Sequence, residues 1–406
     1  MEPLIAAVRS GDARLTGALL DAGADPDAVD ECGTPALCLA VDAFDLPVVD
    51  VLLAQARPDH AAPDGRTPLL RAIDRGACEI TDSLIGGGAK LWIADAEGRD
   101  ALALARYWHE TGVETELRRR SGSAQVARRT VRQSYSGTSC GELSSGGLTI
   151  RDGHTAILTS LEPLYGIRPS FEELLSRALA EPDVDHEVWW ATVYTLVTRH
   201  DPTVWDAAIG LCDRSDPLER RFGADVLRCT NLFDEDEGTP YDRPLVDLFL
   251  PWAAHEPDPR VARILTAGLV DTQDSRTDEA LRVLSRHVDA EVRRRATNGL
   301  GTAIERRSAG ALPAVAERIE DTDATVRQLA CRALAFAPPD TPDIADLLAA
   351  RLVDPVEYVR VEAAARLALR DDPRGDETLQ RLDPADEDSP HHWLLYDVYR
   401  HRAGYR

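Results

Sequence analysis

Lysine is almost missing from this chain: of 46 basic residues, 45 are arginine and only Lys90 is lysine. Schiff-base or phosphate-loop chemistry would have to rest on that one residue. Its setting, GGGAK at 86–90, reads as the glycine-alanine exit of a helix. The preference for arginine reads as the imprint of a high-GC bacterial genome rather than as a functional signal. Cysteines number seven, scattered and never spaced as CxxC, which points to free thiols packed in helices and away from a zinc site or a disulfide framework. No apolar run approaches the roughly 18 to 20 residues of a membrane span. The opening MEPLIAAVRSGD lacks a basic segment followed by a long apolar one, so no secretory signal and a cytosolic location are expected. DEDEG at 234–238 lacks the spacing and distal Glu of a calcium loop.

Acid is abundant: the net charge is -24 over 406 residues. Such a surface repels phosphate backbones, so no nucleic-acid partner is expected. The local exception is RRRSGSAQVARRTVRQ, in which six arginines fall between 118 and 132 without an acid. It reads as a helix C-terminus running into a solvated linker, with a phosphate-binding patch as the alternative. Apolar residues at 44% and charged residues at 29% fit a folded chain.

Two internal periods organise the rest. PLIAAVRSGD, GTPALCLAVDAFD, GRTPLLRAIDRGA and GRDALALARYWHE place Leu4, Leu37, Leu69 and Leu102 at intervals of 33, 32 and 33, with Ala7, Ala40, Ala72 and Ala105 in the same register. Each unit continues into a second apolar helix. Small alanines let paired helices approach closely, and Gly23 and Gly88 can take positive φ where helices end. Thr67-Pro68 suits a helix start. This pattern resembles the ankyrin repeat, best kept as TPLLRA at 67–72, although no unit keeps the motif's His and Pro35 stands where Thr is usual.

The second half follows D-x-x-V-R-x-x-A-x-x-x-L, clearest in DAEVRRRATNGL (289–300) and DATVRQLACRAL (323–334), with frames starting at 185, 216, 258, 289, 323, 356 and 388. One interval is long, and it holds NLFDEDEGTPYDRP. The array resembles HEAT-type repeats, in particular those of phycobilisome lyase-like proteins. That resemblance implies a structural ladder of Asp and Arg, here Asp289, Asp323, Arg220, Arg293, Arg327 and Arg360. It also frames a test of catalysis: HEAT-type iron hydroxylases, the deoxyhypusine hydroxylase family, carry Val-Arg-His-Glu-Ala-Ala where this chain has VRVEAA. Val361 cannot ligate iron. The pairs His109-Glu110, His186-Glu187 and His255-Glu256 fall elsewhere.

The expected fold is therefore all-α, two α-solenoids: ankyrin repeats over 1–122, a Ser/Gly/Arg-containing linker over 123–153, and a HEAT-like array with capping helices over 154–406. The linker, with SYSGTSCGELSSGG, is expected to have little core of its own and to be the first place a protease cuts. HTAILTSLEPLYGI is expected to cap the second array, and SPHHWLLYDVYRHR its far end. No cofactor or metal is expected. The functional expectation is a scaffold for a protein partner. An acidic decoy of a basic partner and a HEAT-type, lyase-like enzyme acting on a small molecule are the alternatives.

Partner-binding candidates are Trp92 with Ile93, His60, and the pair Trp189 and Trp190. Trp92 stands where Asp27 and Asp59 stand in earlier units, and tryptophan is a frequent interface anchor. Neighbouring tryptophans on a helix cannot both face one core. One of Trp189 and Trp190 is expected to reach the linker or the ankyrin part.

Overall fold

Four helix pairs carry the first register: α1 (Pro3–Ser10) and α2 (Ala13–Asp21), α3 (Ala36–Asp42) and α4 (Leu46–Leu53), α5 (Pro68–Asp74) and α6 (Cys78–Gly86), α7 (Ala101–Thr111) and α8 (Val113–Ser121). The computed structural model describes residues 2–133, 135–233, 241–338, 341–381 and 391–403. All four register leucines and all four alanines are buried, because each first helix packs on the next one. Thr67 caps α5 by accepting the Leu70 amide, as expected from TPLL. Pro35 precedes α3 without a side-chain cap, so that helix loses a stabilisation of about 1 kcal/mol.

The chain then forms β1 (Ala127–Arg132), β2 (Ser139–Ser145) and β3 (Leu148–Arg151), an antiparallel sheet in the order β1-β2-β3. Gly146 and Gly147, both at positive φ, make the tight β2–β3 turn. This corrects the linker expectation. Leu143 and Ile150 join the same hydrophobic core as Leu69, Leu104 and Ile157. Backbone bonds fasten both ends of the sheet: the Arg151 amide donates to the Arg75 carbonyl at 2.8 Å and the Ser139 amide to the Asp185 carbonyl at 2.7 Å. Limited proteolysis of the native chain is expected to spare 127–151 and to cut first elsewhere, which mass mapping of the earliest fragments checks. First cuts inside these strands would mean that the sheet opens.

After the sheet come α9 (His154–Leu164), α10 (Phe171–Ala180), α11 (Glu187–Val197) and α12 (Pro202–Ile209). Helix α9 packs on α7 and α11, so it covers the last ankyrin helix instead of capping the second array. Among the described residues the chain divides into two compact units, 1–204 and 205–406. That division coincides with neither 122 nor 153.

The second unit contains α13 (Pro217–Leu232), α14 (Asp242–His255), α15 (Pro259–Asp271), α16 (Asp278–Leu284), α17 (Ala290–Glu305), α18 (Ala311–Arg318), α19 (Ala324–Leu334), α20 (Ile344–Ala349), α21 (Glu357–Ala368), α22 (Pro373–Leu379) and α23 (His392–Arg402). The frame starts fall on helix caps: Asp216, Asp258, Asp289 and Asp323 each accept an amide from the first turn. At 356 the cap is Val356, and Asp354 accepts its amide instead. The start of the frame at 388 and half of the insertion, DEDEG included, lie outside the described residues.

Arg220, Arg293 and Arg327 each do two jobs at their junctions. Arg293 Nη1 donates to the carbonyls of His287 and Val288, while Nε and Nη2 grip Asp321 at 2.8 Å. Arg327 does the same with the Asp321 and Thr322 carbonyls and with Asp354. Arg220 pairs with Glu256, and Arg360 donates to the Asp354 and Pro355 carbonyls. In Arg220, Arg293 and Arg327 a planar fork closes the loop on itself and ties it to a carboxylate further along the chain, whereas Arg360 closes its own loop.

Candidate interaction site

The ankyrin fingers are stitched by aspartates. Asp27 accepts the Arg57 amide at 2.9 Å, and Asp59 accepts the Lys90 amide at the same distance. One finger thereby holds the next. Lys90 also reaches Asp59 with its ammonium, at 3.5 Å, which gives the single lysine a place in this stitching. Trp92 occupies the corresponding position of the last finger, where no further finger offers an amide. It is 72% exposed. Ile93 beside it is half-buried, and so is His60. The His60 ring lies 3.7 Å from Asp27 and 3.4 Å from an Arg57 nitrogen, so it braces the stitch between fingers.

Helix α11 separates its two tryptophans. Trp189 is 3% exposed and leaves the set of partner-binding candidates, because no partner reaches it without disrupting the helix. Trp190, 42% exposed, lines a cleft of about 360 Å³. Across that cleft lie Glu79 and Asp82 of the ankyrin helix α6 and Ser136 of the turn between β1 and β2. Composition had no means of revealing this cleft, since its walls come from segments as far apart as Cys78 and Thr198.

Buried polar groups knit the joint beside it. Asp74 accepts from Arg66, from both terminal nitrogens of Arg120 and from the Trp108 indole. The Trp108 ring lies between the Arg120 guanidinium, 4.5 Å from its centroid, and the His154 ring, stacked at 4.4 Å. Burial pushes the His154 imidazole down to about 4, so it packs as a neutral ring. Half of the basic run is spent here and in α8: Arg118 pairs with Glu114, and Arg119 and Arg120 with Glu116. Arg128, Arg129 and Arg132 stand on the exposed edge strand β1, a common guard against strand pairing.

Three side chains, Asp152, Glu181 and His186, bring possible metal-binding atoms within 4.8 Å of one another. The imidazole is already committed on both sides. Its Nδ1 accepts the Val188 amide at 3.2 Å, which places the ring proton on Nε2, 3.0 Å from Asp152 Oδ1. A metal on Nε2 would need that proton on Nδ1, pointing at another N–H. The trio works as a helix cap and a hydrogen-bonded brace. At the other candidate metal position, Val361 is buried in α21. Burial pushes the thiols of Cys38, Cys229 and Cys331 up to about 12, so these three pack as neutral core groups.

Residues 4–108 match the family of ankyrin repeats (3 copies), and residues 246–335 and 277–370 match the family of HEAT repeats. Neither match reaches the narrower likeness to phycobilisome lyase-like repeats. No curated protein matches the chain.

Proposed function

From a chain that carries an ankyrin array and a HEAT array, we infer a scaffold for protein–protein interaction, working in the cytosol. Repeat arrays of both kinds present long surfaces suited to holding other proteins. Among the described residues no helix is long and apolar enough to cross a membrane. One observation carries the reading to a particular place: Trp92 stands exposed at the end of the finger row, in a position that earlier units use for an internal stitch. A large, exposed amphipathic ring is suited to anchor a partner, with Ile93 next to it in the chain and His60 on the preceding finger as further candidates.

Replacing it tests the reading. Trp92→Asp restores the residue type of the other fingers and is expected to leave the melting temperature unchanged. Binding to the protein recovered with the wild-type chain from its native cell extract should weaken by about 2 kcal/mol, the scale of an interface hot spot. Undiminished binding by a folded Trp92→Asp chain would remove the fingers from the interface.

A further inference from the structure

The cleft between α6, the β1–β2 turn, α9 and α11 has a composition that selects its occupant. One wall is aromatic and apolar: Trp190 and Tyr194, their ring centroids 5.9 Å apart and tilted by 31°, with Leu164 beside them. The two rings are 42% and 47% exposed. Acids line the cleft as well. Glu79 spends one oxygen on the Tyr135 and Ser136 amides and the Ser136 hydroxyl. Asp82, which solvent reaches, has only the Cys78 thiol, at 4.0 Å, as a hydrogen-bond partner among the described residues. Among the described residues no arginine or lysine lines the cleft.

A further acid reaches the cleft from the start of α11. Glu187 is buried, and its Oε2 accepts from the Gln133 amide at 2.8 Å while Oε1 has no hydrogen-bond partner among the described residues. A buried carboxyl oxygen left unpaired is costly, so its presence in a cavity needs an explanation. Anions are excluded by the acids. A purely apolar ligand would leave those acids dehydrated and unpaired.

We propose that this cleft receives an arginine side chain from an extended segment of a partner protein, its guanidinium between the Trp190–Tyr194 wall and Asp82. The proposal rests on the scaffold reading and adds the partner's chemistry. Arginine fits better than a compact ammonium because its planar, weakly hydrated head stacks on aromatic rings while donating sideways to carboxylates, and its stem packs on Leu164. A volume of about 360 Å³ lies at the small end of ligand pockets, suited to one side chain rather than to a folded element. The net charge of -24 steers a basic segment toward the chain.

Proton linkage follows from the same geometry. Burial pushes the Glu187 carboxyl up to about 8, with Asp152 adding to the rise and Gln133, His186 and Arg151 opposing it. A bound cation favours the ionised carboxylates, so binding releases protons and tightens as pH rises from 6 to 8.5.

The test uses the full-length chain and a dye-labelled, capped peptide holding one arginine among glycines, read by fluorescence anisotropy. Binding should saturate, and a citrulline peptide, isosteric but neutral, should bind at least about tenfold more weakly, as should Asp82→Asn and Trp190→Ala chains of unchanged melting temperature. Affinity that ignores citrulline, or that survives both substitutions, overturns the proposal. Spermidine displacing the peptide at about a hundredth of the peptide's own concentration would make this a small-molecule site and overturn it too. Failure of the peptide to bind while Trp92-dependent partner capture persists would sink the cleft and leave the scaffold standing.

Discussion

A Trp108→Ala chain is expected to lose about 4 kcal/mol of stability in its first unit, the scale for removing a fully buried large aromatic. Three contacts disappear together: the His154 stack, the Arg120 cation–π contact and the indole hydrogen bond to Asp74. The loss should be local. Hydrogen exchange followed by mass spectrometry is expected to show faster exchange in α5, α7 and α9, with α17 to α21 unaffected. Trp108→Phe keeps a ring but no indole N–H, and should cost about 1 kcal/mol through the lost hydrogen bond, since Asp74 Oδ1 still accepts from Arg120. If both variants unfold with the wild type, the buried network around Asp74 does not hold α9 to the ankyrin helices.

Arg327→Ala is expected to cost the second unit about 3 to 4 kcal/mol, because it strands the buried Asp354 carboxylate and two loop carbonyls at once. Arg286 supplies the control. It also makes a two-pronged pair, with Glu317, but both partners lie in solvent, so Arg286→Ala should leave the unfolding transition in place. Urea unfolding of the three chains separates the cases, and equal shifts would mean that burial does not govern the ladder.

Acid should weaken the same ladder. Arg327 holds Asp354 below the usual carboxylate range, and Arg263 and Arg294 do so for Asp289 and Asp323, each against an opposing effect of burial. A lowered carboxylate contributes stability that is full above its unfolded value, near 3.8, and is lost as pH falls through the folded one. Stability of the second unit should therefore fall steeply below about pH 4, and less steeply in Arg327→Ala. Melting curves across that range check the slope.

Features written within a few residues were legible in the chain alone. The leucine and alanine register marks the buried face of the ankyrin helices because a helix repeats every 3.6 residues whatever packs on it. Frame aspartates land on caps because capping is a contact over two or three residues, and the frame arginines reach carbonyls only five and six positions back. The role of VRVEAA was legible for the same reason, since a valine cannot ligate a metal in any fold.

Tertiary structure decided what lies between the repeats. SYSGTSCGELSSGG has the composition of a flexible linker, yet its glycines and serines are there partly because there is no room. A Cβ on Gly141 would come within 2.3 Å of Asp152, and one on Gly76 within 2.1 Å of the Arg151 carbonyl. Strand β2 is nearly all buried, between partners at residues 127–132 and 148–151 and the start of α11. Small residues chosen for close approach look the same in a sequence as small residues chosen for freedom. Trp189 and Trp190 pose the same limit: adjacent on one helix, they differ only in what α11 packs against. Which of them meets the core, and that the other faces carboxylates from α6, follows from contacts spanning more than 100 residues of chain, a distance at which local pattern carries no information.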